Sequence, residues 1–180
     1  MKTSWIAACA VLDLLGGTRP AAARSFTVNP TQIFLAPKIT SPLLTLRNES
    51  DETLRFQLTV FKWDQTPQGE MKLDPTQDIV FFPALLSLSP KEERKVRVGA
   101  TTSFAASEKT YRIFVEELPP QPGGATQSAV RVLTKMGVPI FLQPAKIQAQ
   151  GSLNDLMVKE GTFTFNVRNP GNVHFVPQSV

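Results

Sequence analysis

The sequence contains little of the chemistry on which enzymes and metal proteins depend. Its 180 residues include one cysteine, Cys9, and one histidine, His174. Because Cys9 lies in the predicted export signal described below, we expect the mature chain to have no thiol, and hence no disulfide, thiolate metal site or cysteine nucleophile. A Ser-His-Asp set cannot be assembled from the first domain, which has no histidine. The neighbouring carboxylates Glu116 and Glu117 point to opposite faces of a predicted strand and cannot act as a pair. We therefore expect no catalytic residue, no metal and no cofactor.

The sequence also lacks a strong charge excess and a membrane-spanning run. Nineteen Lys and Arg face fifteen Asp and Glu, a net charge of +4, without the basic cluster of a nucleic-acid-binding domain. The apolar stretch at residues 5–17 is short and is interrupted by Asp13, so it does not span a bilayer. A basic Met1-Lys2 precedes it and Ala21-Ala22-Ala23 follows, as in a secretory signal. We predict that residues 1–23 are a signal peptide for export; an ordinary N-terminal strand or helix is the alternative.

Proline, glycine and phenylalanine are abundant instead. Fifteen Pro, ten Gly and twelve Phe are typical of many short strands separated by turns. Apolar and polar residues alternate in several segments, most clearly at residues 54–60, 95–98 and 111–115, and this period of two is that of a half-buried strand. About seven such strands predict an all-β chain that forms an immunoglobulin-like β-sandwich, with a small closed barrel as the alternative.

A second segment begins after Pro144. An apolar alternation that ends in Arg-Asn occurs at residues 44–48 and again at residues 163–169, which is a faint internal repeat. The segment after Pro144 is too short for a sandwich of about 100 residues, so we expect the chain to be truncated at its C-terminus. The predicted domains are the signal peptide at 1–23, an N-terminal immunoglobulin-like domain at 24–143 and a partial C-terminal domain at 144–180.

Three motifs, taken in order, resemble a known family. They are SPKEERKVRVG at residues 89–99, YRIFVEELP at residues 111–119 and GVPIF at residues 137–141. Together they resemble the periplasmic chaperones of the chaperone–usher pilus pathway, and most of all the branch that builds archaic-type pili and related spore-coat systems. The resemblance covers the whole first domain and the opening strands of the second.

The resemblance implies a function without catalysis. Members of this family have two immunoglobulin-like domains and bind pilus subunits that lack one strand of their own sandwich. The chaperone lends its last first-domain strand to the subunit, without ATP, and delivers the subunit to an outer-membrane usher. We therefore expect a periplasmic chaperone that is not an enzyme. Its expected partners are a pilus or spore-coat subunit and the usher, with no nucleic acid and no small-molecule cofactor. A secreted structural or adhesive β-sandwich binding module is the alternative.

The donor strand is predicted in the apolar stretch at residues 130–142. Strand addition requires backbone pairing along a sheet edge and side chains of one parity that fill pockets in the partner. Arg131 lies on the charged parity of this stretch. We predict that the other parity contacts the subunit, with ordinary core packing as the alternative for each residue; its members are Val130, Val132, Thr134 and Met136.

The resemblance leaves the carboxylate anchor open. Many relatives bind the subunit's terminal carboxylate with an arginine near the first strand and a lysine near the end of the donor strand, and these positions hold Gln32 and Pro139 here. A buried carboxylate still needs a cationic partner. We predict Arg112 and Lys135 as candidate anchors; solvated strand charges are the alternative.

The contact between the two domains also departs from the family pattern. Glu108 matches an acidic residue that helps to join the domains in relatives, but the usual basic partner falls at Gln143. We expect the domains to be joined by other contacts, and the lone His174 to have a structural role.

Overall fold

The computed structural model describes residues 25–119 and 132–176, and all regular elements in these ranges are strands. The predicted signal peptide, Val130 and Arg131 lie outside the described residues. No helix of the described chain is long and apolar enough to cross a membrane. The twelve strands are β1 (Phe26–Asn29), β2 (Ile33–Leu35), β3 (Leu43–Asn48), β4 (Leu54–Gln65), β5 (Met71–Pro75), β6 (Ile79–Phe82), β7 (Leu85–Leu88), β8 (Glu93–Ala100), β9 (Lys109–Leu118), β10 (Lys135–Leu142), β11 (Ser152–Lys159) and β12 (Thr162–Arg168).

The first ten strands form two sheets that pack face to face. The smaller sheet has the order β1-β3-β8-β6, and the larger has the order β2-β10-β9-β4-β5 with β7 also paired to β4. All pairings are antiparallel except that of β10 with β2. The predicted fold class is confirmed: the chain is all-β and forms an open sandwich.

The core follows the alternation in the sequence. On β9 the side chains of Tyr111, Ile113 and Val115 are buried, and the residues between them are half-buried on the outer face. Glu117 is buried and its neighbour Glu116 is not, which confirms that the two carboxylates point to opposite faces. Burying one such apolar side chain contributes about 1.5–3 kcal/mol. The largest fully buried side chains are Tyr111, Phe56, Ile33, Leu35, Leu44, Leu46, Leu54, Leu88, Ile113, Ile140, Leu142 and Val96.

The sandwich has more strands than the sequence predicted because β4 is long. One of its edges pairs with β9, and the other pairs with β7 at residues 54–57 and with β5 at residues 61–65. The last strand is shorter than predicted. It starts at Lys135, so the described residues 132–134 of the predicted stretch precede the strand.

β11 and β12 form a separate two-stranded sheet. The internal repeat has a structural counterpart here, in asparagines that follow equivalent strands. Asn48 Oδ1 accepts the amide of the residue two positions later, and its Nδ2 donates to the carbonyl four positions later. Asn169 makes the same two hydrogen bonds. The same turn therefore occurs in both parts of the chain.

Candidate functional site

The last strand of the sandwich has a free edge. β10 pairs with β9 along its whole length, from Lys135 to Leu142. On its other side it pairs with β2 only from Ile140 onward. Between Lys135 and Pro139 no strand of the described chain covers this edge. The edge can therefore accept an additional strand.

Alternate residues of β10 direct their backbone groups toward this edge. The carbonyl of Thr134 accepts the amide of Glu117 at 2.9 Å, so even-numbered residues face β9. The amide of Gln143 donates to β2 at 2.8 Å, so odd-numbered residues face the other way. Lys135 and Gly137 consequently present both an amide and a carbonyl at the free edge.

Of the predicted donor residues, Met136 lies within β10, on its inner face, and Val132 and Thr134 precede the strand. Met136 is half-buried and packs against the core, and the next residues of its parity are buried. Thr134 is exposed, and Val132 is 81% exposed. Val132 therefore contributes little to the core of this sandwich and remains available for a partner. Val130 lies outside the described residues.

The outer face of the same strands carries two cations that lie on aromatic rings. The guanidinium carbon of Arg112 is 4.2 Å from the centroid of the Trp63 ring. Lys135 Nζ is 5.0 Å from the centroid of the Phe114 ring and 3.0 Å from the carboxylate of Glu116. Contacts of a cation with an aromatic face are each worth about 0.5–2 kcal/mol. Both predicted anchors thus contact an aromatic ring, and Lys135 already has an anionic partner.

Arg112 differs from Lys135 in its unused hydrogen-bonding capacity. Its Nε is buried and has no hydrogen-bond partner, and no carboxylate of the described chain forms an ion pair with it. The remaining polar contact is between Nη1 and the sulfur of Met71 at 3.6 Å. The guanidinium of Arg112 therefore keeps hydrogen-bonding capacity that the described chain does not use.

Arg112 also lies next to the position of the missing lysine. Pro139 on β10 is its cross-strand partner, and directly opposed residues on neighbouring strands project from the same face. The cation therefore stands one strand away from the place where many relatives have lysine. Gln32 precedes β2 and is exposed.

A cleft of about 230 Å³ opens beside Trp63 at one end of the larger sheet. Its lining comes from the first sandwich and from the segment after Pro144, which we call the tail. The His174 ring of the tail stacks on Phe141 of β10 with centroids 4.1 Å apart. No group of three or more potential metal-ligating side chains occurs among the residues that the structure describes. The lining residues are Trp63, Asp64, Gln65, Thr110, Phe141 and His174.

Glu108 is held by the tail and not by Gln143. The Glu108 carboxylate is 95% buried, and its Oε1 lies 2.6 Å from His174 Nδ1 and 3.3 Å from the His174 amide. The amide of Glu108 donates to the Asn172 carbonyl at 2.9 Å. Sequence reasoning gave His174 a structural role but did not pair it with Glu108. The signal for a contact with the tail was the match of Glu108 to an acidic residue that helps to join the domains in relatives.

Asn172 fastens the tail to two further segments. Its Nδ2 donates to the carbonyls of Ala106 and Lys146, both at 2.9 Å. Its Oδ1 accepts the amide of Gln148 at 2.7 Å. One side chain therefore joins the loop before β9, the segment after β10 and the turn after β12.

Comparisons with known proteins agree with this geometry. Residues 25–148 match the family described as pili and flagellar-assembly chaperone, PapD N-terminal domain. The class 5 fimbriae chaperone CfaA is similar with a TM-score of 0.64 and 16% identity, over 83% of this chain and 68% of that chain. The chaperone–tip adhesion subunit complex CsuC–CsuE of Acinetobacter baumannii gives a TM-score of 0.60 at 19% identity, over 82% and 73%.

A third solved structure, the SafA pilin of Salmonella enterica in complex with the SafB chaperone, gives a TM-score of 0.61 at 13% identity, over 83% and 69% of the two chains. At these identities the likeness establishes the fold. No curated protein matches the sequence. The family match covers more than half of the chain, and the chain therefore belongs to the pili and flagellar-assembly chaperones, with a first sandwich that is the PapD-type N-terminal domain.

Proposed function

We propose that this chaperone binds pilus subunits by donating the free edge of β10, keeps them soluble in the periplasm and delivers them to an outer-membrane usher. The observation that carries the proposal is the uncovered edge between Lys135 and Pro139, with the exposed Val132 just before it. An edge of this kind on an isolated sandwich invites aggregation. In a strand-donating chaperone it is the binding surface.

The chemistry of the edge suits a sandwich that lacks one strand. Such a subunit exposes an apolar groove together with an unpaired strand edge, and both are aggregation hazards. The backbone of β10 satisfies the edge, and side chains of alternate residues enter the groove. We assign this role to Val130, Val132, Thr134 and Met136. Val132 gains about 1.5–3 kcal/mol on full burial because it is exposed in the free protein.

We assign the anchor for the subunit's terminal carboxylate to Arg112 in preference to Lys135. Lys135 is already paired with Glu116, so binding a second carboxylate would break or share an existing ion pair. Arg112 has a buried Nε without a partner and borders the cleft through Trp63. Its planar guanidinium can bind a carboxylate with two parallel hydrogen bonds.

We further propose that the protein is not an enzyme and that residues 1–23 direct its export. Strand exchange makes and breaks hydrogen bonds only, so subunit release needs no covalent chemistry and no cofactor. We assign subunit binding to residues 24–143 and the start of a second immunoglobulin-like domain to residues 144–180. The matching turns at Asn48 and Asn169 support this division.

Substitution of Val132 by aspartate tests strand donation. A carboxylate forced into an apolar groove costs more than about 2 kcal/mol, which is more than about 30-fold in affinity. Val158→Asp on β11 is the matched control, because that valine is 74% exposed and lies away from β10. Each variant is co-expressed with the subunit gene and the complex is measured by size exclusion. We expect the first variant to lose the complex and the second to keep it.

Thermal melting of the free chaperone completes this test. Both variants are expected to melt like the wild type, because both valines are exposed. If Val132→Asp unfolds the free protein, Val132 belongs to the core. If it melts normally and still captures subunit, β10 is not the donor strand. A wild-type protein that binds no subunit at all would favour a secreted binding module.

A further inference from the structure

We propose that Gly137 is a positioning residue for carboxylate binding. Because Gly137 has no side chain, Arg112 can lie across β10 and contact Trp63 at the edge of the cleft. The inference rests on the proposed anchoring role of Arg112. The absence of a side chain at position 137 of the donor strand makes this role sterically feasible.

The space around Gly137 is occupied by two side chains of β9. A Cβ atom added at Gly137 would lie 3.0 Å from Arg112 Cδ and 3.0 Å from Phe114 Cε1. Contacts this close are tighter than almost all those that real Cβ atoms make, so a side chain at 137 would displace its neighbours. Arg112 would move most easily, since the crowded atom belongs to a flexible chain.

Backbone conformation does not account for this glycine. The glycines with positive φ are Gly69 and Gly161 in the described chain, so Gly137 adopts a backbone open to any L-residue. A glycine inside a strand costs about 0.5–1 kcal/mol relative to alanine. Space is therefore the property that the glycine supplies, and the side chains that use the space are Arg112 and Phe114.

The neighbouring residues of β10 extend the same arrangement. Pro139 follows on the outer face with a compact ring, directly opposite Arg112. Between Lys135 and Phe141, the outer face of β10 thus carries no long side chain. The aliphatic part of Arg112 fills this place from β9, and its guanidinium lies 4.2 Å from the ring centroid of Trp63, which lines the cleft. Arg112 of β9 thus occupies the space that the short residues Gly137 and Pro139 of β10 leave open.

The test compares Gly137→Ala with Gly99→Ala in the full chain. A Cβ atom at Gly99 on β8 would make ordinary contacts, 3.4 Å from the Thr40 carbonyl and 3.6 Å from Val80. Both substitutions remove a strand glycine, but only the first crowds Arg112. The first measurement needs no subunit: the side-chain NMR resonances of Arg112 report its ring-current shift from Trp63. We expect them to move in Gly137→Ala and to stay in Gly99→Ala.

The second measurement uses two synthetic peptides with the C-terminal sequence of the co-purified subunit. One peptide ends in a free carboxylate and the other in an amide. We expect the wild type and Gly99→Ala to prefer the free carboxylate by about tenfold or more, in line with one charge-assisted pair. We expect Gly137→Ala to lose this preference and to bind both peptides equally.

The outcomes separate this inference from the proposed function. Unmoved Arg112 resonances, or a retained carboxylate preference in Gly137→Ala, overturn the positioning role. A wild type without any carboxylate preference refutes the anchor itself, whatever the resonances show. If Gly137→Ala fails to fold, the double variant Gly137→Ala/Phe114→Leu removes the ring contact and keeps the Arg112 contact. We expect this variant to fold and to lose the preference; a retained preference there also overturns the proposal.

Discussion

At the scale of single residues, Tyr111 shows how burial sets the chemistry of a side chain. It is fully buried on β9, and its hydroxyl donates a 2.7 Å hydrogen bond to Asp78 Oδ2. Burial, together with this hydrogen bond and the Asp78 charge, raises the pKa of Tyr111 well above its usual value. In the folded protein the phenol therefore stays neutral under conditions in which an exposed tyrosine ionises.

This shift predicts an alkaline loss of stability. Below pH of about 10, the usual pKa of tyrosine, the folded and unfolded states both hold the proton, so the contribution of Tyr111 is constant. Above that pH the unfolded state releases the proton and the folded state retains it, so the free energy of unfolding falls as pH rises. We expect Tyr111→Phe to flatten this fall.

Denaturant titrations between neutral and alkaline pH measure the effect. Because Tyr111 is the only tyrosine in the sequence, tyrosinate absorption reports its ionisation directly and should appear only as the protein unfolds. At neutral pH the variant should be less stable by about 1–3 kcal/mol, since it leaves Asp78 without this donor. Tyrosinate that forms in the folded protein near pH 10 would contradict the assignment.

Arg112 and Arg97 provide a second comparison at this scale. Arg112 lies on Trp63 at the cleft, whereas Arg97 is exposed on the smaller sheet and donates to Ser41 at 3.1 Å. Loss of one partner from a buried charge pair costs about 2–5 kcal/mol, and loss of an exposed charge costs less than about 1 kcal/mol. We expect Arg112→Ala to weaken subunit binding by about 30-fold or more and Arg97→Ala by less than about fivefold.

Calorimetric titration of each variant with subunit released from its chaperone complex checks this prediction. Equal affinities for the two variants would place the anchor elsewhere, and Lys135→Ala would then be the next variant to measure. In melting curves of the free protein we expect both variants to stay folded and Arg112→Ala to be the less stable by about 0.5–2 kcal/mol, because it loses the contact with the Trp63 ring.

At the scale of the element, β10 combines two roles on one strand. Val138 and Ile140 close the core of the sandwich, and only the part of the strand before Ile140 has an uncovered edge. The strand is thus fixed at one end, in the core, and open at the other. A donor held in this way is already extended before the subunit arrives, which lowers the entropy lost on binding.

The contact between Glu108 and His174 is predicted to fasten the tail to the sandwich. Two interactions of His174 are separable: stacking on Phe141 at 4.1 Å and contact with Glu108 at 2.6 Å. His174→Phe keeps the stacking and removes the contact, whereas His174→Ala removes both. Hydrogen exchange of the Asn172 amide, which donates to Gln148 at 2.9 Å, measures opening of the tail.

We expect exchange at Asn172 to accelerate in both variants, and more in His174→Ala. Loss of the Glu108 contact, in both variants, should reduce the free energy of local opening by about 1.5–3 kcal/mol. Loss of the stacking, in His174→Ala, should reduce it by about another 0.5–1.5 kcal/mol. Amides of Ile113 and Val115 in the core serve as the control and should be unaffected. Unchanged exchange at Asn172 in both variants would show that Asn172 alone fastens the tail.

At the scale of the whole molecule, the sandwich and the β11–β12 sheet differ in how they bury apolar residues. The sandwich has a continuous core, whereas the small sheet leaves most of its large apolar side chains exposed. A two-stranded sheet is marginally stable by itself in water. The exposed members are Leu153, Leu156, Met157, Val158, Phe163 and Val167.

We predict that the protein is recovered from the periplasm in a one-to-one complex with its subunit. The uncovered edge of β10 can pair with one incoming strand, so donation of β10 leads to this stoichiometry. Size exclusion with light scattering measures the mass of the complex, and addition of ATP or a chelator should leave it intact. Subunit that stays equally soluble without the chaperone, or a complex that dissociates on nucleotide addition, would contradict the proposed mechanism.

The sequence by itself determined the all-β class and, where apolar and polar residues alternate, the face that a strand buries. Period-two alternation is local, and it identified Tyr111, Ile113 and Val115 as one face of β9 because neighbouring side chains of a strand must point in opposite directions. The same rule separated the apolar parity of β10 from its charged parity. The motifs around β8, β9 and β10 further pointed to the family, which the comparisons confirmed.

Only the tertiary structure decided which edge is open and which distant side chains meet. Pairing with β2 stops at Ile140, so the free part of β10 depends on a strand about a hundred residues earlier in the chain. Arg112 lies on Trp63, and Glu108 meets His174 across 66 residues of sequence. Alternation fixes the direction of each side chain but carries no information on the register between distant strands. That register follows from how the two sheets pack, which is a property of the whole fold.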